Sequence, residues 1–393
     1  MSRFFKLTSL LLPLALLFAV LIDTPYHALS KVELFGIDRT KTRPAFSLAR
    51  FWSGKFQADF EAWLEQQLSL KAAMVRTDNT LNLLVLHDIS AHTEIPIVLG
   101  KRHTLFEMNY INNLNGVSEL KNDPPPRSPE PIADQVQLVS RVSRAFRALG
   151  IDFMVVFYPG KASIWRDRVP ERYVLPGGPE KAAAGYQQLL RALAAEQVVV
   201  VDGAAEFSRR FAEDASFPLF SSGGTHWTNA GACQVAKRIT AELSFSNPKH
   251  SSLRCRLGST RTAKIADSDI SELINVWDNS RFLDQIPTVS ITLNRPIEGG
   301  PRDALFVGSS YSAHLAEELH RARVFRDVYH LMYYRHATVE DVDWGSIAHR
   351  QAVIFEQWQW SYFTVNVSEF VEDMTARVPD FAAALRQVDG EAN

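Results

Sequence analysis

Residues 303–315, DALFVGSSYSAHL, begin with a short apolar run and pass through Gly308 and two serines into a helix predicted from Tyr311 to about His320. The run lacks the polar alternation of a strand that has one face in water. A continuously apolar strand is buried on both faces, as in a parallel sheet covered by helices. The segment therefore predicts a strand, a tight turn and a helix in an α/β fold.

Similar patterns lie on both sides of this segment. The other predicted elements are, in chain order, a helix Ile132–Leu149, the strand segment 151–161, a helix Pro179–Glu196, the strand segment 197–207, a helix Thr228–Leu243, and the strand segments 322–334 and 351–363. Apolar strands separated by helices predict a parallel sheet flanked by helices. In such sheets the working site lies at the carboxyl ends of the strands.

The region before this sheet has a different pattern. Within residues 51–86, apolar residues recur three or four apart, which is the period of an amphipathic helix. Residues 95–107, IPIVLGKRHTLFE, predict a hairpin. The prolines of KNDPPPRSPEP exclude a helix or a central strand there. The predicted organisation is a signal anchor or signal peptide over 1–29, a helical and hairpin lead-in over 30–120, a proline-rich junction over 121–131 and the α/β domain over 132–393.

The N-terminal segment predicts the compartment. Arg3 and Lys6 precede an apolar stretch from about Leu7 to Ile22, which is the layout of an export signal. No A-x-A-like cleavage site follows this stretch, so an uncleaved membrane anchor is favoured over a cleaved signal peptide. We expect the rest of the chain to lie outside the cytoplasm.

The charge balance excludes a general attraction to polyanions such as nucleic acid, because 42 basic and 44 acidic residues leave a formal net charge of -2. The only cysteines are Cys233 and Cys255, and they do not form a CxxC pair. They would form a disulfide in an oxidising compartment and remain thiols in the cytosol, and the sequence leaves both alternatives open.

Ser310 is the candidate nucleophile. A serine hydroxyl needs a neighbouring base, and the oxyanion that develops needs backbone N–H donors. Gly308 permits a tight turn, and the backbone N–H groups of Gly308 and Ser310 are the candidate oxyanion donors. The alternative is that Ser310 is only a helix N-cap, a position that favours serine.

His226 is the candidate base, in the segment SSGGTHWTNAGA at 221–232. A lone histidine is more often an ordinary core or surface residue, but a serine and a histidine at strand ends are what acyl transfer requires. Four further residues are candidate substrate contacts, although the cations are commonly just solvated and the tryptophans just core: Lys161, Arg335, Trp358 and Trp360.

These segments resemble the alginate O-acetyltransferase family of SGNH-hydrolase-like proteins, of the AlgJ and AlgX type. GTHWTNAGA is similar to the family's Asp-x-His-Trp block, and VGSSYS is similar to its Gly-(Asp/Thr)-Ser-(Phe/Tyr)-Ser block. VLGKRHTLFE and VFYPGKASIWRDRVPERY resemble the family's hairpin and lysine loop. The resemblance implies an SGNH-like fold, with Ser310 as the nucleophile and His226 as the base.

The resemblance also implies the reaction and its setting. It implies a periplasmic protein, anchored to the inner membrane, that transfers acetyl groups to hydroxyls of an exported polysaccharide. A membrane-embedded acyltransferase would be the partner that delivers the acetyl group, and no metal or soluble cofactor is implied. The alternatives are a carbohydrate acetyl esterase and a non-catalytic polysaccharide-binding scaffold of an exopolysaccharide synthesis complex.

The sequence departs from the family pattern at Gly224, where the aspartate of the catalytic triad is expected. In a Ser-His-Asp triad, changing the acid can cost about 10⁴ in rate. Three outcomes are open at this stage. A backbone carbonyl orients His226, another acid such as Asp202 replaces the aspartate, or the site is inactive and retained for binding.

Overall fold

The computed structural model describes residues 32–36, 42–67, 69–89, 96–117, 132–243, 252–264, 267–297, 300, 302–331, 342–347, 349–358 and 367–391. The predicted anchor (1–29) and the proline-rich junction (121–131) lie outside these residues. None of the helices in the described part of the chain combines the length and the apolar composition that a membrane span requires.

The helices are, in chain order, α1 Leu48–Trp52, α2 Lys55–Gln67, α3 Ser69–Leu81, α4 Met108–Leu114, α5 Ile132–Ala148, α6 Lys161–Ile164, α7 Gly178–Ala195, α8 Gly203–Glu213, α9 Asn229–Glu242, α10 Asp269–Leu273, α11 Ser310–Arg321, α12 Trp344–Ile347, α13 Val367–Arg377 and α14 Pro379–Glu391. The strands are β1 Ile97–Leu99, β2 Leu105–Glu107, β3 Asp152–Tyr158, β4 Val199–Asp202, β5 Leu253–Thr262, β6 Gln285–Leu293, β7 Arg302–Val307, β8 Phe325–Leu331 and β9 Ala352–Trp358.

The chain divides into two units. The first contains the residues up to Leu99 together with Asp269–Arg281, and the second contains Gly100–Ser268 and Phe282 onward. The division lies earlier than the predicted junction at 121–131, because β2 and α4 belong to the second unit. The predicted helical lead-in is present in the first unit as α1 to α3.

Buried amide groups join the two sequence segments of the first unit. The Asn79 side chain donates a hydrogen bond to the carbonyl of Ile274 over 2.8 Å. Asn275 accepts one from the backbone N–H of Phe35 over 2.8 Å. The segment 269–281 therefore packs with the lead-in helices, although it is distant from them in sequence.

The second unit contains the predicted parallel sheet. Its five strands lie in the order β4-β3-β9-β7-β8, and all neighbouring strands are parallel. Residues 153–158 of β3 are all buried, which explains why this segment is apolar without alternation. Helices α5, α7, α13 and α14 contribute side chains to the core under one face of the sheet. The α/β prediction is therefore confirmed.

The sequence analysis did not predict the antiparallel ribbon of β5 and β6. Most side chains of β5 are exposed or half-buried, so this strand lacks the apolar signal that marked the sheet. Cys255 on this strand forms a disulfide with Cys233 of α9, with a Cα–Cα distance of 6.2 Å. The disulfide alternative for the two cysteines is thus the one observed.

Candidate active site

The turn after β7 places Ser310 at the start of α11. The Ser309 side chain caps this helix, and its Oγ accepts a hydrogen bond from the backbone N–H of Tyr311 over 3.2 Å. The capping role that was an alternative for Ser310 therefore falls to its neighbour. The hydroxyl of Ser310 is left at the first helical position, half-buried, at the carboxyl end of the strand.

His226 lies at the end of the segment 221–226, which we call the base loop. Thr228 caps the following helix, α9, by accepting a hydrogen bond from the Gly231 N–H over 3.1 Å. The Nε2 atom of His226 is 2.7 Å from the Oγ of Ser310, which is hydrogen-bonding distance. The structure thus brings the predicted nucleophile and base together, over 84 residues of sequence.

Tyr311 connects the two loops that carry this pair. Its hydroxyl donates a hydrogen bond to the Thr225 carbonyl and accepts one from the Tyr110 hydroxyl over 3.0 Å. Its ring centroid is 4.6 Å from that of His226 and 4.3 Å from that of Tyr158, on which it stacks. The residue after the nucleophile therefore fixes the backbone next to the base. Sequence analysis missed this role, although the aromatic residue belongs to the quoted block.

Lys161 was a candidate substrate contact, and the structure places it elsewhere. Its side chain is 1% exposed at the start of α6. The ammonium donates hydrogen bonds to the carbonyls of Leu105, Ser222 and Gly224 over 2.8, 3.1 and 2.6 Å. A side chain buried in this way holds protein backbone and does not reach a substrate in solvent.

Gly224 occupies a position without room for a side chain. A Cβ atom there would overlap the carbonyl oxygen of Asp267 and lie 2.6 Å from the Oγ of Ser221, which itself donates to the Asp267 carbonyl. Real Cβ atoms do not approach other atoms so closely. The backbone of Asp267 fills the space that a side chain at position 224 would need. The local packing therefore agrees with the absence of a carboxylate there.

Asp202 is not brought to the pair. It ends β4, which is three strand spacings, or about 14 Å, from β7 in the sheet order. Its Oδ1 accepts hydrogen bonds from the Tyr186 hydroxyl over 2.7 Å and from the Ala205 N–H over 3.0 Å. Burial, together with the nearby Asp202 charge, raises the pKa of Tyr186 well above its ordinary value. Asp202 is thus the N-cap of α8, and this contact set corrects its assignment as an acid.

Gly308 also needs correction as an oxyanion donor. Its backbone N–H donates to the Leu331 carbonyl of the neighbouring strand over 3.1 Å and is therefore committed to the sheet edge. The N–H of Ser310 lies in the first turn of α11, where amides have no partner within the helix. Because the Gly308 N–H is bound within the sheet, the Ser310 N–H is the better-placed donor of the two.

The side chains of the three remaining candidates lie outside the described part of the chain. Trp358 is the last residue of β9, opposite Tyr158 in the register, and its side chain lies outside the described atoms. Arg335 and Trp360 lie outside the described residues altogether. Their proposed contacts with substrate stay predictions.

A second serine and histidine lie close to the first pair. The Oγ of Ser312 is 2.7 Å from the Nε2 of His330 and donates to the Ser309 carbonyl over 2.7 Å. Burial lowers the pKa of His330, and a hydrogen bond to the Ser309 backbone opposes this in part. Sequence reasoning missed this pair, although His330 lies within the predicted strand segment 322–334.

A parallel sheet with a serine at the carboxyl end of a strand, next to a histidine from a neighbouring loop, is an arrangement that α/β acyl-transfer enzymes use. The family model described as "SGNH hydrolase-like domain, acetyltransferase AlgX" matches residues 118–329, more than half of the chain. The chain belongs to this AlgX family of SGNH hydrolase-like acetyltransferase domains.

Solved structures give weaker similarity. The O-acetyltransferase domain of Pseudomonas putida AlgJ is 18% identical, with 75% of this chain and 100% of that chain covered and a TM-score of 0.47. Pseudomonas aeruginosa AlgX is 14% identical, with 75% and 67% covered and a TM-score of 0.47. Bacillus cereus PatB1 is 11% identical, with 70% and 99% covered and a TM-score of 0.38. No curated protein sequence matches the chain significantly.

Proposed function

We propose that this protein is an O-acetyltransferase that acts on hydroxyl groups of an exported polysaccharide through an acetyl ester on Ser310. The observation that carries the proposal is the 2.7 Å separation between Ser310 Oγ and His226 Nε2 at the carboxyl edge of the sheet. Membership of an acetyltransferase family supports the choice of an acetyl group.

The first half-reaction forms the acyl-enzyme. Ser310 Oγ attacks the carbonyl carbon of the donor ester while His226 Nε2 takes the hydroxyl proton. The N–H of Ser310 stabilises the oxyanion, helped by the positive end of α11. The tetrahedral intermediate then collapses, the donor alcohol leaves with the proton from His226, and the acetyl group stays on Ser310.

The second half-reaction reverses these roles with a new alcohol. A sugar hydroxyl gives its proton to the neutral His226 and attacks the acetyl carbon of the Ser310 ester. The C–O bond to Ser310 breaks, and the proton on Nε2 returns to Oγ. The products are an acetylated sugar and free enzyme, so no oxidant, metal or soluble cofactor enters the balance.

The setting of the reaction is part of the proposal. The Cys233–Cys255 disulfide supports an oxidising compartment, in agreement with the export signal predicted over residues 1–29. We propose a periplasmic enzyme that is held at the inner membrane by this segment. A membrane-embedded acyltransferase would supply the acetyl group, and the exported polysaccharide would accept it.

The proposal is tested with the purified full chain, 4-nitrophenyl acetate as donor and a panel of uronic-acid and neutral oligosaccharides as acceptors. Mass spectrometry is expected to detect acetylated oligosaccharide with the native chain and none with Ser310→Ala. Free acetate without acetylated sugar would instead assign a carbohydrate acetyl esterase. Unchanged polysaccharide acetylation in cells that carry Ser310→Ala would assign a non-catalytic scaffold and overturn the enzymatic proposal.

A further inference from the structure

We propose that Lys161 is a positioning residue for this reaction. Its buried ammonium binds carbonyl groups of the base loop and thereby holds His226 at hydrogen-bonding distance from Ser310. The inference rests on the proposed function, because it assigns Lys161 a part in the same acyl transfer. Nothing in the motif spacing indicated this role, which depends on contacts that only the fold creates.

The chemistry of the contact is specific. A lysine ammonium has three N–H donors and no acceptor, and three carbonyl oxygens lie 2.6 to 3.1 Å from Nζ. Burying a charge is costly unless hydrogen bonds replace those of water, and charge-assisted bonds are stronger than neutral ones. The rings of Phe106 and Trp165 also lie near the cation, each with its centroid 5.5 Å from Nζ. The position of the ammonium is therefore fixed, and the three carbonyl groups that bind it must point towards it.

Two of the three carbonyls belong to the base loop. The Gly224 oxygen accepts the shortest of the bonds, 2.6 Å, two residues before His226. The Ser222 oxygen accepts from both Lys161 and the Leu105 N–H, the latter over 2.8 Å. The Leu105 carbonyl is also the third acceptor of the Lys161 ammonium. Lys161 therefore connects the base loop to β2 as well as to α6. The loop thus has one firm attachment at 222–224.

The next carbonyl of the base loop is attached to the nucleophile turn. Tyr311, directly after Ser310, donates its hydroxyl proton to the Thr225 carbonyl. His226 therefore directly follows two residues whose carbonyls are bound, Gly224 by Lys161 and Thr225 by Tyr311. This matters because no carboxylate can be present at 224, and a displacement of about 1 Å at a catalytic group can cost about 10²-fold in rate.

The test replaces Lys161 with a side chain of similar length that has no charge, Lys161→Met, in the full chain. The rate constant for phosphonylation of Ser310 by a fluorophosphonate is measured by intact mass spectrometry and divided by the folded fraction. We expect a fall of about 10- to 100-fold relative to the native chain, consistent with a displaced base. Lys237→Met, at an exposed position of α9, is the matched control and is expected to react at the native rate.

A merely structural role would lower the folded fraction and leave the rate per folded molecule unchanged, and that result overturns the inference. With 4-nitrophenyl acetate, positioning lowers kcat with KM held, since the substrate contacts do not include Lys161. If Lys161→Met does not fold, Lys161→Arg decides, because its planar guanidinium keeps the charge but not the three-carbonyl geometry. A native rate in Lys161→Arg then overturns the positioning role. Failure of the native chain itself to react at Ser310 would overturn the proposed function.

Discussion

Helix α11 carries two serine–histidine pairs, and they differ in what their hydroxyl groups can do. The distance from serine Oγ to histidine Nε2 is 2.7 Å in both, in the pair of Ser310 with His226 and in the pair of Ser312 with His330. Ser312 is 2% exposed, and its proton is donated to the Ser309 carbonyl, whereas Ser310 is half-buried at the end of the strand. Equal distances therefore do not imply equal reactivity.

The two pairs also differ in which atom receives the serine hydroxyl proton. A hydroxyl has one proton, and that of Ser312 is donated to the Ser309 carbonyl, so it is not available to Nε2 of His330. In the working pair the proton must instead be available to the histidine, because His226 acts as a base only when Nε2 accepts the proton of Ser310. The first pair is built to move a proton, and the second supports the nucleophile turn.

Replacing each serine is the strongest way to separate the pairs. We expect Ser310→Ala to lower acetyl transfer by about 10³-fold or more, since the covalent intermediate is lost. Ser312→Ala removes both contacts of a buried hydroxyl, to the Ser309 carbonyl and to His330, and is expected to change the rate per folded molecule by less than about threefold. Both are measured as acetylated oligosaccharide formed per minute. A larger loss in Ser312→Ala than in Ser310→Ala would exchange the roles of the two pairs.

Replacing each histidine gives the next largest contrast. His226→Gln is expected to lower kcat by about 10³-fold, because the general base is absent while the Ser310 hydroxyl remains. His330→Gln keeps a donor near Ser312 and is expected to lower the free energy of unfolding more than kcat. Steady-state kinetics and urea denaturation measure the two effects. Native kcat in a folded His226→Gln variant would remove the base assignment.

The sheet could be predicted from the sequence because its strands are buried on both faces. The segments around Val155 and Phe306 could be identified as strands without knowing what they pack against. A parallel strand that is buried on both faces is apolar throughout, so its own composition reveals its burial. The ribbon of β5 and β6 was missed for the same reason. Its strands, such as Leu253–Thr262, are largely exposed, so hydrophobicity does not mark them.

The site was predictable only in part. Ser310 and His226 followed from strand ends and a family resemblance, which identify residues but not their contacts. Lys161 was misplaced because a lysine after a strand is ordinarily solvated, and only long-range packing buries it against carbonyls of residues 56 to 63 positions away. Asp202 was misplaced because strand order, which separates β4 from β7, cannot be deduced from chain order.

Replacing Gly224 with aspartate tests whether the Ser310–His226 pair can accommodate the carboxylate that the family pattern has at this position. We expect Gly224→Asp to lower kcat by about 10-fold or more instead of raising it, since its Cβ meets the Asp267 carbonyl and forces the base loop away. Gly185→Asp is the control, as a Cβ there meets nothing within 4 Å. Kinetics with 4-nitrophenyl acetate measure the effect. A rise in kcat for Gly224→Asp would mean that the loop adapts and that the space is not a constraint.

The smallest expected effect is a pH dependence of stability that belongs to the supporting pair. Burial lowers the pKa of His330 in the folded protein, so between that value and the ordinary value near 6.5 the unfolded chain binds more protons. The stability contributed by neutral His330 is therefore complete above about pH 6.5 and is lost as the pH falls through the folded pKa. Urea denaturation at pH 5.5 and 7.5 is expected to give a smaller pH difference for His330→Gln than for the native chain. If the free energy of unfolding changes equally with pH in both proteins, the acid sensitivity does not come from His330.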